Sequence, residues 1–220
     1  VYKLSNISWE TIYRLIINGQ IKGELVADAV IFNNSSKDYI NTSIQLVEGK
    51  LNNVKPKISH SPNNNTVARY AVNKMESASL GDYHIYNVES KINKLIARES
   101  ITVRMYGPLN VDYEKVYVFE NSERQQKEEP LKVELTLSNT EATGLGIPLP
   151  AGKIDMYTFT GSGGIEYIGS DQMGQVPKGE SSTIQAGYAF DITGKRKVLN
   201  YNRQRKSEEA VIEISVNNTR

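Results

Sequence analysis

The feature that most restricts this chain is strict alternation of apolar and polar residues in several separate segments, the period of half-buried β-strands. Lys132 to Ser138 alternates Val133, Leu135 and Leu137 with polar side chains. Ala210 to Asn217 places Ile212, Ile214 and Val216 on one face and Val211, Glu213 and Ser215 on the other. Leu25 to Phe32 is apolar on both faces except at Asp28, and it runs into the turn cluster Asn33-Asn34-Ser35-Ser36. Ser43 to Val47, Ser100 to Tyr106 and Tyr113 to Phe119 read as further strands. Asp155 to Phe159 and Ile165 to Ile168 form the arms of a hairpin tipped by Gly161-Ser162-Gly163-Gly164, where glycine supplies positive φ without steric cost. The 13 tyrosines also favour strands. The expected class is therefore all-β, with sandwich-type antiparallel sheets.

Two segments have no apolar period. Lys50 to Thr66 is polar and holds Pro56, Pro62 and three consecutive asparagines. Glu120 to Pro130 is highly charged and is the expected connection between two β subdomains, 1–119 and 131–220. Two others fit either period. Ile7 to Asn18 sets Ile12, Leu15 and Ile16 at helical spacing before Gly19, and Val88 to Glu99 does so with Val88, Ile92, Leu95 and Ile96.

Charge and composition exclude several chemistries. With 26 basic and 25 acidic residues the chain has no global field to draw in DNA or an anionic membrane. It has no cysteine, so disulfides, thiolate metal sites and cysteine nucleophiles are ruled out. No apolar run reaches the roughly 18 residues of a membrane helix. The sequence starts at Val1 rather than Met, as expected of a processed product or a fragment.

No catalytic or metal motif stands out. His60 and His84 lie apart, and a metal site needs convergent ligands. Ser162 sits in a hairpin tip rather than a G-x-S-x-G elbow. The glycines around it are followed by a strand, not by the Lys-Ser/Thr and helix of a phosphate loop. The carboxylate neighbours Glu128-Glu129 and Glu208-Glu209 would point to opposite faces of a strand. Asn110, Asp112 and Glu114 offer oxygens to calcium only as any β-turn does. No catalytic residue, metal ligand or cofactor site is therefore assigned.

Two features remain as candidate sites. Lys195, Arg196, Lys197, Arg203, Arg205 and Lys206 form a basic stretch with Tyr201 inside it and no acid between Asp191 and Glu208. It is a candidate anion contact. The simpler expectation is an exposed hairpin whose charges discourage edge-to-edge aggregation, and nucleic-acid binding is not expected without an accompanying motif. Six Asn-X-Ser/Thr acceptors occur, at Asn6, Asn33, Asn34, Asn41, Asn64 and Asn217. This is about twice what composition alone would give and hints at a cell-surface or extracytoplasmic location.

Several stretches also share their order and spacing with a known family. Ser8-Trp9-Glu10-Thr11-Ile12-Tyr13-Arg14-Leu15 leads to Val30-Ile31-Phe32-Asn33-Asn34 and to Ile44-Gln45-Leu46-Val47-Glu48-Gly49. Gly146-Ile147-Pro148-Leu149-Pro150-Ala151-Gly152-Lys153 and Ile168-Gly169-Ser170-Asp171 come later, then Pro177-Lys178-Gly179-Glu180 and Gly187-Tyr188-Ala189-Phe190-Asp191. Over roughly Ser8 to Asn217 the chain resembles the uncharacterised β-rich C-terminal domain of mucoidy-inhibitor-like proteins. The resemblance implies strands for both ambiguous segments and brings no catalytic residues. The larger relatives add an N-terminal coiled-coil domain and further strands, which this sequence lacks. The expected function is a non-enzymatic surface or envelope module that meets a protein partner, or itself, through its sheet edges. The alternatives are a carbohydrate-active or other hydrolase with two carboxylates converging in intersheet loops, and nucleic-acid binding through the basic stretch.

Overall fold

The computed structural model describes residues 6–48, 70–71, 75–80, 83–88, 92–121 and 127–219. The polar segment 50–66, His60 and the acceptor Asn64 lie outside them. The protein is all-β. Its strands are β1 (Ile7–Asn18), β2 (Lys22–Asn33), β3 (Tyr39–Thr42), β4 (Gln45–Glu48), β5 (Tyr70–Ala71), β6 (Met75–Leu80), β7 (Tyr83–Val88), β8 (Ile92–Leu95), β9 (Ser100–Val118), β10 (Glu129–Ser138), β11 (Gly152–Phe159), β12 (Ile165–Met173), β13 (Ser181–Arg203) and β14 (Glu208–Asn218). A 3-10 turn, Glu141–Thr143, precedes β11. Of the two ambiguous segments, 7–18 is β1, and the described residues of 88–99 hold the end of β7 and all of β8, followed by a turn at 97–98.

The main sheet runs in the order β12-β11-β1-β2-β9-β10-β13-β14, while β3-β8 and β4-β7-β6 form two small sheets. Along that path every pairing is antiparallel except β1 with β11, which is parallel. A parallel neighbour needs a long crossover, and more than a hundred residues separate these two strands. The 19-residue β9 is the spine. Its first part, Ser100 to Asp112, pairs with β2, and Tyr113 to Val118 pairs with β10. The two strands expected at 100–106 and 113–119 are thus one long strand that passes the sheet from one half to the other.

That spine joins the two expected subdomains, 1–119 and 131–220, whose apolar side chains meet. Tyr13, Leu15, Leu25, Ala29 and Ile31 share one buried cluster with Leu135, Leu137, Ile154, Met156, Met173 and Ile184. The two limbs of the sheet therefore face each other across a common core. The charged segment 120–130 links adjacent antiparallel strands β9 and β10. A charged connection has the same composition whether it separates domains or spans neighbouring strands.

β2 lies between β1 and β9 and is buried on both faces from Leu25 to Ile31, which accounts for its nearly unbroken apolar run. The exception, Asp28, is buried and held between two arginines. Arg14 Nη2 lies 2.6 Å from Oδ2, and Arg104 Nε lies 2.5 Å from Oδ1. The single carboxylate thus fastens β1, β2 and β9 across the outer face.

The Leu-Pro-Ala-Gly segment holds the ends of several strands. Leu149 bridges Val176 in both hydrogen-bond directions. The Tyr13 hydroxyl donates to Pro150 O at 2.7 Å, and Ala151 N–H donates to Glu48 Oε1 at 2.7 Å. Gly152 opens β11 opposite Thr11. A Cβ at Gly152 would sit 2.3 Å from Thr11 O, so only glycine permits this parallel approach.

Two buried asparagines end strands in the same way. Asn33 Nδ2 donates to the carbonyls of Lys37, Leu95 and Ile96, while its Oδ1 accepts from the Ser35 N–H and hydroxyl. Asn139 Nδ2 donates to Ile147, Val176 and Pro177 carbonyls, and its Oδ1 accepts from Gly146 and Ile147 N–H. Each side chain satisfies backbone groups that a turn would otherwise leave bare.

Candidate interaction surface

The β13–β14 hairpin extends the sheet beyond its core. β13 pairs with β10 from Ser181 to Tyr188 and again at Thr193 and Gly194, and from Ile192 to Arg203 its other edge pairs with β14. Between the pairs Lys132↔Tyr188 and Pro130↔Thr193, the four residues Ala189 to Ile192 oppose Leu131 alone. This bulge turns Ala189 and Ile192 inward against Leu131, with Tyr117, Phe119 and Val133 packed around them. It leaves Phe190 outside, 94 % exposed. Phe119 lies over Gly194, where a Cβ would come 2.4 Å from its ring. There the core ends.

Past that point the hairpin is amphipathic. Directly opposed residues of an antiparallel pair share a face. Gly194 opposes Val216, Arg196 opposes Ile214 and Val198 opposes Ile212. This face continues the one covered by Phe119. The other face carries Lys195 opposite Ser215 and Lys197 opposite Glu213. A register shift between Val198 and Asn200 restores Tyr201 opposite Ala210 near the tip. Every residue of β14 is exposed, and Ile214 reaches 63 %. An apolar row of this kind on a two-stranded ribbon is not stabilised by the ribbon itself.

The two ends of the main sheet differ. At the β12 end, Asp171 Oδ2 accepts from the Gln185 N–H of β13 at 2.8 Å, so the edge is tied to the opposite limb. β12 also bears a register shift between the Met156 and Tyr157 pairings. β14 at the other end carries no proline or lysine, and from Ala210 to Asn218 its one charge is Glu213. Its protection against edge pairing is confined to Glu208, Glu209 and Glu213 and to the register shift at Val198/Asn200, and the stretch from Ile214 to Asn218 carries no charge.

The candidate anion contacts do not form one surface. Lys195 and Lys197 point to the polar face and Arg196 to the apolar one. Arg203 Nε pairs with Glu208 Oε1 at 3.0 Å, and Arg205 and Lys206 sit in the turn. A stretch that is continuous in sequence is divided by the two-residue period of the strand, and acids of β14 lie beside it.

The acceptor asparagines also separate. Asn6, Asn34, Asn41 and Asn217 are exposed. Asn33 is corrected: it is fully buried, and the nitrogen a glycan would join is the donor to three carbonyls.

Compared with protein-family models, curated proteins and solved structures, the chain matches none of them.

A recess of about 260 Å³ lies at the seam of β12 and β13, lined by Gly169, Ser170, Asp171, Gln185 and Gly187. Asp171 is its one carboxylate and already accepts from Gln185 and Gln172 N–H. At the end of β4, Glu48 accepts from the Ala151 N–H and from the Tyr86 hydroxyl at 3.3 Å. Burial raises the Glu48 carboxyl above its ordinary value, against the lowering effect of those hydrogen bonds and of His84. Burial likewise pushes the Tyr13 and Tyr86 hydroxyls up. Trp9 and Tyr106 stack edge-on against Tyr86, at 5.9 and 6.4 Å. Among the described residues no three His, Asp or Glu side chains gather as a metal-binding set, and no helix is long and apolar enough to cross a membrane.

Proposed function

We propose that this chain is a non-enzymatic β module of a cell-surface or envelope protein, and that it binds or assembles with protein through the β13–β14 hairpin. The observation that carries this is the apolar row Ile212, Ile214 and Val216 on a fully exposed edge strand. An open strand edge offers main-chain hydrogen bonds to an added strand, and the alternating side chains set its specificity. The exposed acceptors Asn6, Asn34, Asn41 and Asn217 support an extracytoplasmic setting. Membership of the β-rich C-terminal domain of mucoidy-inhibitor-like proteins belongs to the same proposal. Its support is that the Leu-Pro-Ala-Gly and Gly-x-Ala-Phe-Asp segments fill demanding positions, one at the parallel strand pair and one at the root of the hairpin.

The test is native mass spectrometry of the tagged chain, isolated from its host. The wild type is compared with a variant in which Ile212, Ile214 and Val216 are all threonine, a β-branched residue that keeps strand propensity. A stoichiometric complex, with itself or with another protein, that disappears in the variant supports the proposal. Recovery of both as a bare 24.6 kDa chain would sink it.

A further inference from the structure

We infer that the partner of the hairpin is a second copy of this chain, joined by antiparallel pairing of β14 with β14 of the other copy about a two-fold axis at Ile214. This rests on the hairpin being the binding element, as proposed above.

The argument is one of register. A two-fold axis normal to the sheet pairs residue with residue symmetrically, and opposed side chains share a face. Only a few axis positions are available along β14, and the sequence Ala210-Val211-Ile212-Glu213-Ile214-Ser215-Val216-Asn217-Asn218 discriminates among them. An axis at Glu213 sets two carboxylates directly against each other. An axis at Ile212 places Val216 against Glu208 and Ser215 against Glu209. An axis at Ser215 or Val216 places Ile212 or Ile214 against Asn218. With the axis at Ile214, Ile214 meets its own copy, Ile212 meets Val216, and Glu213 meets Ser215. The charge of Glu213 is then answered within its own hairpin by Lys197 on the same face. Val211 and Ala210 then meet Asn217 and Asn218 at the ends of the paired segment, but both isoleucines meet apolar partners, no like charges meet across the new pair, and no apolar side chain is set against a charge of the other copy's β14.

The neighbouring structure leaves this register open. The Arg203–Glu208 ion pair lies outside the paired segment 210–218. Lys195 and Lys197 point to the polar face, away from the apolar row. The apolar rows of the two β14 strands become one continuous patch at the centre, flanked by Arg196 of each copy, and the two main sheets join end to end. Pairing of this kind occupies the β14 edge, while the β12 edge at the other end is tied to β13 through Asp171.

Because the chain has no cysteine, single cysteines report the register without background. Opposed residues in an antiparallel pair have Cα atoms about 4.5–5.5 Å apart, within the reach of a disulfide. Ile214→Cys is expected to oxidise to a covalent dimer in near-complete yield. Glu213→Cys and Ser215→Cys, each alone, are expected to cross-link poorly, and an equal mixture of the two to cross-link well. Ile214→Lys sets two ammonium groups against each other and is expected to leave a monomer by sedimentation, with unchanged circular dichroism and Trp9 fluorescence as the check on folding.

A purified wild-type chain that sediments as a monomer at tens of micromolar overturns the inference. So does a dimer whose cross-linking is strongest at another position, or one that Ile214→Lys leaves intact. If the purified chain is monomeric while the host complex contains a different protein and still depends on Ile212, Ile214 and Val216, self-pairing falls and the hairpin keeps its binding role. If no complex depends on those residues, both fall.

Discussion

Replacing Asn139 by alanine should be the most informative single test of how the fold is fixed. The side chain is fully buried and makes five hydrogen bonds to backbone groups. Two of its acceptors keep another donor: Val176 O takes Leu149 N–H, and Pro177 O takes Glu180 N–H. The Gly146 N–H, the Ile147 N–H and the Ile147 carbonyl lose the partner Asn139 gave them. A buried group left without its bond costs about 1–3 kcal/mol, so a loss of roughly 3–5 kcal/mol is expected after local relaxation. For a chain of this length that corresponds to a fall in melting temperature on the order of 10 °C. Asn139→Asp should be at least as damaging, because it turns a carboxylate oxygen toward the three carbonyls that Nδ2 now serves. The assay is urea unfolding followed by the single tryptophan, Trp9, which packs on the core and on Tyr86. A loss below about 1 kcal/mol in both variants would refute the view that this side chain holds the loop between β10 and β11.

Three further outcomes follow from the geometry. Gly152→Ala should destabilise by about 3 kcal/mol, at the upper end for overpacking, since its Cβ would meet the Thr11 backbone; loss of the parallel pair would show as faster amide exchange at Thr11 to Ile17. Asp28→Asn should cost about 1–3 kcal/mol in the same urea assay, less than a fully buried ion pair, because both arginines reach solvent in part. The Glu48 carboxyl is raised above its ordinary 4.5 by burial, so the native state binds its proton more readily than the unfolded chain. Stability from this group therefore falls as pH rises from 4.5 through the raised native value, and stays lower above it. Glu48→Gln keeps an oxygen for Ala151 N–H without the charge, so its advantage over the wild type should be largest near neutrality and should shrink as the pH falls through that window, as read by melting temperature against pH.

Much of the strand content was legible because alternation is a local property. The arms of the β11–β12 hairpin, the two-sided burial of β2 and the amphipathic β14 can each be read from a few neighbouring residues. What could not be read depends on distant partners. Nothing near Ile7 to Asn18 states that it will lie parallel to 152–159, although Gly152 is the mark that this contact leaves. The segment 120–130 has the composition of a linker, and composition cannot state that the strands on either side of it are neighbours in one sheet. Asn33 fits a glycan acceptor by its local triplet, yet its carbonyl partners at Leu95 and Ile96 lie more than sixty residues away. Lys195 to Lys206 looks like one basic patch until the strand period sends its side chains to both faces. The apolar row Ile212, Ile214 and Val216 was visible in the sequence, but its exposure was not: alternation predicts a buried face, and only the position of β14 at the end of the sheet shows that nothing of the described chain covers it.

The most direct test of the central claim is sedimentation velocity of the purified chain over a range of concentrations, alongside Ile214→Lys. Self-pairing through β14 predicts that the wild type moves from 24.6 kDa toward twice that mass as concentration rises, while the folded variant stays at the monomer mass. A wild type that remains monomeric throughout, or a variant that associates equally well, would contradict it.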